Sequence, residues 1–402
     1  MISLSDIQAA NLRIRPTIHV TPCEYSETFS EISGNPVYFK LENLHMTGSF
    51  KERGALNKLL LMTPDERERG VICASAGNHA QGVAYHAKRL GIRCVVYMPE
   101  HAPITKVNAT ERFGAEVILY GKSFDEALAE AKRIGARDGL VFVHAFDDSN
   151  VIAGQGTCGL EILEQNPQVE AILVPIGGGG LIGGIACAVK EQNPKIKMIG
   201  VQTSRVPSMR AALEKGEPVE LPAASTIADG IAVRRCGVET VPLAARYVDQ
   251  IVTVEEEEIA SAILYLLERE KTVAEGAGAA AVAALLHAKT NLKGKNTVAL
   301  VCGGNIDPIF LSRIIERGLV KDGRLVRLRL NVPDRPGALN SITALFVQAK
   351  VNVMTIEHDR AYHGVALGET AIEATIETRG SEHVEELFTA MKAAGFPAER
   401  IR

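Results

Sequence analysis

The sequence predicts an α/β fold of mostly parallel sheets, followed by a smaller ferredoxin-like module. Three observations carry this. Between Val71 and Val201, short β-branched or apolar runs alternate with segments of helical period, the pattern of parallel strands joined by crossover helices that cover both faces of a sheet. Near Arg317 the pattern gives way to the polar, glycine-containing "RGLVKDGRLVR", which suits a linker. Beyond it the order strand, helix, strand, strand, helix, short strand fits a β-α-β-β-α-β unit over residues 326–402.

Taken in order, the strand "GVICASAGN" runs into the helix "HAQGVAYHAKRLG". The strand "RCVVYMPE" precedes a helix from "ITKVNATERFG", and "EVILYG" leads into "SFDEALAEAKRIG". Later "EAILVPIGGGG" precedes the helix "LIGGIACAVKEQNP", which precedes the strand "IKMIGVQ". The alanine- and glycine-rich "VAEGAGAAAVAALLHAKT" reads as a buried packing helix whose small side chains permit close backbone approach. In the tail, Val326, Leu328, Leu330 and Val332 alternate along a strand from Leu325, and a helix spans about Ala338–Ala349. Strands are expected at 351–359 and 369–377, and Val384, Leu387, Phe388, Met391 and Ala394 fall on one face of the last helix.

A chain of 402 residues exceeds one ordinary domain and can bury a large core. A formal charge of -4 offers no basic field for nucleic acid or anionic lipid, so the expected partner is a small molecule. The seven scattered cysteines form no C-x-x-C pair, which argues for a reducing compartment and against a cysteine-built zinc site. No apolar run approaches the ~20 residues that cross a bilayer, and the N-terminus has no apolar leader; a cytoplasmic location is expected.

Three stretches carry chemistry. In "VPIGGGGLIGG" four glycines between strand and helix let backbone amides converge on a phosphate, although a tight ligand-free connection has the same spacing. The loop matches neither the P-loop nor the dinucleotide pattern, which disfavours ATP and NAD. In "SAGNHAQG", Ser75, Asn78 and His79 supply polar groups beside free amides, suited to a carboxylate or a phenolic oxygen; Ser75 or Asn78 could equally be a helix cap. In "TGSFKERGA", Lys51 opens a helix. On a surface it is a solvated charge, but a lysine made nucleophilic by burial beside a phosphate-holding loop invites an aldehyde that carries a phosphate, pyridoxal 5'-phosphate.

With these stretches in place, the chain resembles the fold-type II (tryptophan synthase β-like) pyridoxal-phosphate enzymes, and within them the threonine dehydratase branch. The matching stretches are "TPCEYS", "KLENLHMTGSFKERGA", "SAGNHAQGVA", "YMPEHAPITKVNATERFGAEV", "VHAFDD", "GQGT", "VPIGGGGLIGG", "ADGIAV", "AEGAGAA" and "VCGGN". The tail "NVPDRPGALNSITALF" resembles the opening of an ACT regulatory domain. The resemblance implies a catalytic domain over 1–318, with a smaller subdomain of about 54–150 inserted in the larger. A linker at 319–325 and an ACT-like domain at 326–402 follow.

The resemblance also implies roles. Lys51 carries the cofactor and acts as the catalytic base, and Phe50 packs by the pyridine ring. Asn78 bonds the ring oxygen, while Gly177, Gly178, Gly179, Gly180 and Leu181 hold the phosphate. Ser75, Gly77, Asn78 and His79 clasp the substrate carboxylate; Gly230 and Glu275 line the pocket. Cys302 occupies the position facing the pyridine nitrogen, where a thiol cannot keep that nitrogen protonated as a carboxylate would. A weaker electron sink favours prompt loss of a β-leaving group, so elimination is expected. Gln202 and Ser208 stand where metal-binding relatives carry carboxylates, so no divalent metal is expected there, with a monovalent ion left open. Asp334, Arg335, Pro336 and Gly337 form a turn before a helix and are expected to receive an amino-acid effector, unless the module serves only dimerisation. The expected reaction is dehydration and deamination of L-threonine to 2-oxobutanoate and ammonia in a homo-oligomer, dimer or tetramer. Serine dehydratase, serine racemase, β-replacement and a non-catalytic amino-acid sensor are the alternatives.

Overall fold

A computed structural model of the chain describes residues 1–359 and 366–401. It divides into two units, Met1–Asp307 and Pro308–Arg402.

The first unit contains two sheets. The larger orders its strands Cys23–Ser26, Val37–Lys40, Thr297–Leu300, Ala171–Pro175, Lys197–Thr203 and Gln250–Val254. Only the outermost pair, Cys23–Ser26 against Val37–Lys40, is antiparallel. The central strands Thr297–Leu300 and Ala171–Pro175 are buried along their whole length, as parallel strands covered by helices on both faces must be. The helix Gly276–Leu286 packs on these strands and is buried from Gly276 to Leu285. The smaller sheet is all parallel, in the order Glu116–Leu119, Cys94–Met98, Val71–Ala74, Val141–Phe142. Every strand expected between Val71 and Val201 is present; the antiparallel edge and Gln250–Val254 lie outside that stretch.

The helix Lys51–Leu60 joins the sheets. It meets the helix Ser149–Gln165 backbone to backbone, and a Cβ on Gly154 would lie 2.7 Å from the Cα of Gly54. Two residues after Lys51, the fully buried Arg53 bridges two carboxylates, Glu42 at 2.6 Å and Glu161 at 2.7 Å. Lys40 donates to the same Glu161 at 2.6 Å and to the Thr21 carbonyl at 2.7 Å. Charges removed from water this completely persist only when paired and fully hydrogen-bonded.

The second unit is the expected βαββαβ module. Its strands Leu325–Pro333, Asn352–Asp359, Glu369–Glu377 and Glu399–Ile401 form an antiparallel sheet, with Asn352–Asp359 at one edge and Glu399–Ile401 at the other. Val326, Leu328, Leu330 and Val332 meet Ile342 and Phe346 of the helix Ala338–Ala349 and Leu387 and Met391 of the helix Ser381–Ala393. Two details differ from expectation. A helix spans Pro308–Lys321, so the connection to the first strand is only Asp322–Arg324; the single Gly318 costs a helix about 1 kcal/mol and does not end it. Ala394 is an exposed C-terminal cap, and the buried fourth member of that face is His383, which bonds the Ala349 carbonyl at 2.7 Å.

Candidate active site

Three loops leave the carboxyl ends of buried parallel strands, where open α/β sheets place their ligands. Val71–Ala74 feeds Ser75–Asn78, Ala171–Pro175 feeds the tetraglycine loop, and Thr297–Leu300 feeds Cys302. The last is zipped to the turn before Lys51: Phe50 N donates to Cys302 O at 3.2 Å, Gly304 N donates to Gly48 O at 2.9 Å, and Ser49 forms a bridge with Gly303.

Lys51 is the first residue of its helix. Its Nζ donates to the Ala145 carbonyl at 2.7 Å and lies 5.1 Å from the centroid of the Phe50 ring. Burial lowers the amine's pKa to about 8, with the neighbouring Cys302 and Glu275 pulling the other way. Roughly a tenth of the amine is then uncharged at neutral pH, hundreds of times more than for a solvated lysine. The hydroxyls of Thr47 and Ser49, just before it, are buried with no protein partner among the described residues.

The residue after Ala145, Phe146, lays its ring against the tetraglycine loop, and a Cβ on Gly178 would lie 2.3 Å from it. Lys51 and the loop are thus linked through two consecutive residues. Thr240 Oγ1 donates to Gly178 O at 2.6 Å, and Gly179 at φ +98° caps the helix Gly180–Lys190. The amides of Gly177, Gly178, Gly179, Gly180 and Leu181 have no acceptor among the described residues. All but Gly177 are buried. Converging buried amides at a helix start hold an anion.

Gly77 caps the helix Asn78–Arg89 without a side-chain bond, so neither Ser75 nor Asn78 acts as its cap. Ser75 Oγ accepts from Gly77 N at 3.2 Å, and the amides of Asn78 and His79 have no acceptor among the described residues. The imidazole of His79 is a correction to expectation. It is buried, its Nε2 bonds Val143 O at 2.9 Å, and burial together with the Lys51 charge holds its pKa at about 3. It is neutral and committed to Val143; its backbone amide is the group offered to a carboxylate.

Asn78 Nδ2 donates to Glu275 Oε1 at 2.6 Å, and Asn78 Oδ1 accepts from Asn305 Nδ2 at 2.7 Å. Burial and the neighbouring Asp229 raise the Glu275 pKa to about 7, against the bond from Asn78 and the charges of Lys106 and Lys51. A Cβ on Gly230 would come within 3.5 Å of that carboxylate. Burial, with the charge of Glu275 adding to it, pushes the Cys302 thiol's pKa up, and its Sγ contacts Ala277 O at 3.4 Å. Gln202 Oε1 accepts from Arg210 N at 3.0 Å and Ser208 Oγ donates to Val233 O at 2.6 Å, so the first presents only an amide donor and the second has its proton committed. Ala145, Phe146, Thr240 and Asn305 belong to this site without a role assigned from sequence. The stretches "VHAFDD" and "VCGGN" contained three of them.

A buried amine of lowered pKa, an unpaired amide cradle and a fixed amide donor fit an aldehyde, a phosphate and a phenolic oxygen on one molecule, as in pyridoxal 5'-phosphate. The chain belongs to the pyridoxal-phosphate dependent enzymes, whose family model matches residues 14–303. Within that class it is 49% identical to the L-threonine ammonia-lyase of Thermotoga maritima over 98% of both chains. It is 47% identical to a catabolic L-threonine dehydratase of Staphylococcus aureus, covering 79% of this chain and 93% of that one. Among solved structures, the processed form of threonine deaminase isoform 2 from Solanum lycopersicum matches with a TM-score of 0.74 at 38% identity, covering 78% of this chain and 91% of that one.

Proposed function

We propose that the protein converts L-threonine to 2-oxobutanoate and ammonia, and L-serine to pyruvate and ammonia. The observation that carries this is the buried Lys51 amine beside the unpaired glycine amides, in a chain matched end to end by an L-threonine ammonia-lyase. The cofactor supplies an aldehyde that captures the substrate amine and a ring that draws electrons from Cα. Lys51 Nζ, its pKa lowered by burial, takes the Cα proton as general base. Ser75 and the free backbone amides at Asn78 and His79, in the loop that Gly77 ends, hold the substrate carboxylate, Asn78 Nδ2 donates to the ring oxygen, and Phe50 packs beside the ring. A neutral Cys302 thiol gives a ring nitrogen no anionic partner. The β-hydroxyl leaves as water, and water is regained when the C–N bond hydrolyses, so the overall reaction balances.

The regulatory reading rests on the second unit. The first unit, Met1–Asp307, is the catalytic domain, with 54–150 its smaller subdomain, and the helix Pro308–Lys321 leads through Asp322–Arg324 into the ACT domain, 326–402. A small amino acid regulates the enzyme through the turn Asp334–Gly337, where Gly337 at φ +92° caps the helix Ala338–Ala349. The chain works as a cytoplasmic homo-oligomer; no helix among the described residues is long and apolar enough to cross a membrane. With no carboxylate at Gln202 or Ser208, turnover is expected to be indifferent to Mg²⁺, Ca²⁺ and chelators.

Replacing Lys51 with alanine tests the core of this reading: turnover and the visible absorbance of the bound cofactor should both disappear, and survival of either refutes it. Assaying 2-oxobutanoate from threonine, and pyruvate and D-serine from serine, separates the lyase from a racemase. One extra methyl in a pocket is worth only about 1–3 kcal/mol, so some serine turnover is expected.

A further inference from the structure

We propose that Asn305 is a positioning residue: with Glu275 it locks the Asn78 amide in the orientation that leaves an N–H free for the cofactor's ring oxygen. This rests on the reading, given above, that Asn78 faces that oxygen.

The polarity of the chain is fixed at its start. The Thr47 carbonyl belongs to the backbone and can only accept, and it takes a bond from Asn305 Nδ2 at 2.6 Å. The same nitrogen gives its second hydrogen to Asn78 at 2.7 Å, so the Asn78 atom facing it must be the oxygen. That turns Asn78 Nδ2 to the opposite side, where one hydrogen goes to Glu275 Oε1 at 2.6 Å and the other stays available. Turning the Asn78 amide over would set amine against amine at Asn305 and carbonyl against carboxylate at Glu275. Each clash leaves a polar group unpaired in a partly buried place.

The backbone makes room for this chain. Gly48, at φ +72°, passes close enough that a Cβ there would lie 2.6 Å from Asn305 Oδ1. A Cβ on Gly303 would lie 2.4 Å from Glu275 Oε1 and 3.1 Å from Asn78 Nδ2. Two separate glycines therefore give way to the Asn305–Asn78–Glu275 chain.

The test is Asn305→Asp, which keeps the shape and removes both donors, made in the wild-type chain and in an Asn78→Ala chain. Cofactor is titrated into each apoprotein, and affinity and the ratio of visible to near-ultraviolet absorption are read. In the wild-type background the substitution should weaken cofactor binding about tenfold, the worth of one oriented hydrogen bond, and shift absorption towards the near-ultraviolet. In the Asn78→Ala background it should change neither. An unchanged Asn305→Asp protein, or an equal effect in both backgrounds, overturns the proposal. If circular dichroism shows that Asn305→Asp does not fold, Asn305→Ser, which keeps one donor, replaces it under the same two outcomes. A wild-type protein that takes up no cofactor strikes the parent reading instead.

Discussion

Lys51 shows what burial does to a single amine. Moved out of water beside Cys302 and Glu275, it keeps a pKa of about 8 rather than that of a solvated lysine, so its nucleophilic form is common at ordinary pH. Cofactor capture by the apoprotein should therefore speed up as pH rises from 7 through 8 and level off by about 9. Stopped-flow absorbance reads this, and a rate still climbing tenfold per pH unit beyond 9 would contradict it. Glu275 titrates in the opposite sense. Its pKa is raised to about 7, so it is ionised and acceptor-only above that pH and protonated below, where it can also donate and the lock on Asn78 loosens. The groups facing it are Asp229, Lys106, Lys51, Cys302 and Asn78. kcat/KM should fall as pH drops through 7, and Glu275→Gln should flatten that limb. At this scale the sequence was legible where a position travels with a short motif, as for Lys51 at its helix start, Asn78 in its loop and the glycines between strand and helix. It was silent where a role depends on distant packing: Asn305 and Asn78 are 227 positions apart, and the His79 imidazole is set by Val143, 64 positions away.

The helix Lys51–Leu60 owes its place to interactions behind the Lys51 amine. Arg53, fully buried, is bonded to both oxygens of Glu42 and both oxygens of Glu161. Its positive charge holds the Glu42 carboxyl well below its usual pKa against the penalty of burial. Arg53→Met leaves Glu161 with Lys40 and Glu42 with only His45 and the Thr21 hydroxyl, so a loss of about 3–5 kcal/mol of stability is expected. Urea denaturation reads it; a loss under about 1 kcal/mol would mean that the pairs contribute little beyond what their desolvation costs. Elements with a clean period were legible in advance, such as the strands Val71–Ala74 and Ala171–Pro175 and the tail strand Leu325–Pro333. The strand Cys23–Ser26 was not, because four residues of mixed burial carry too little alternation to stand out. The helix Pro308–Lys321 was missed because its one glycine and its charged residues looked like a linker.

Across the whole molecule each unit closes its own core. The cluster of Val326, Leu328, Ile342, Phe346, Leu387 and Met391 lies wholly within the second unit, and the sheets that position Lys51, the glycine loop and Cys302 lie wholly within the first. A chain ending at Asp307 thus keeps every residue proposed for chemistry and every strand of the first unit's two sheets. It should fold, take up cofactor with the full-length absorbance, and turn over threonine. What it should lose is regulation. If an amino acid acts through the second unit, its coupling to substrate binding is of the usual allosteric size, so isoleucine or valine should change the full-length enzyme's half-saturating threonine by about 5- to 150-fold and leave the truncated chain unaffected. Reciprocity requires threonine to change effector affinity by the same factor, which calorimetry on the full chain can check independently of turnover. A truncated enzyme that still responds would place the effector site among residues 1–307, and the turn Asp334–Gly337 would then have no regulatory part.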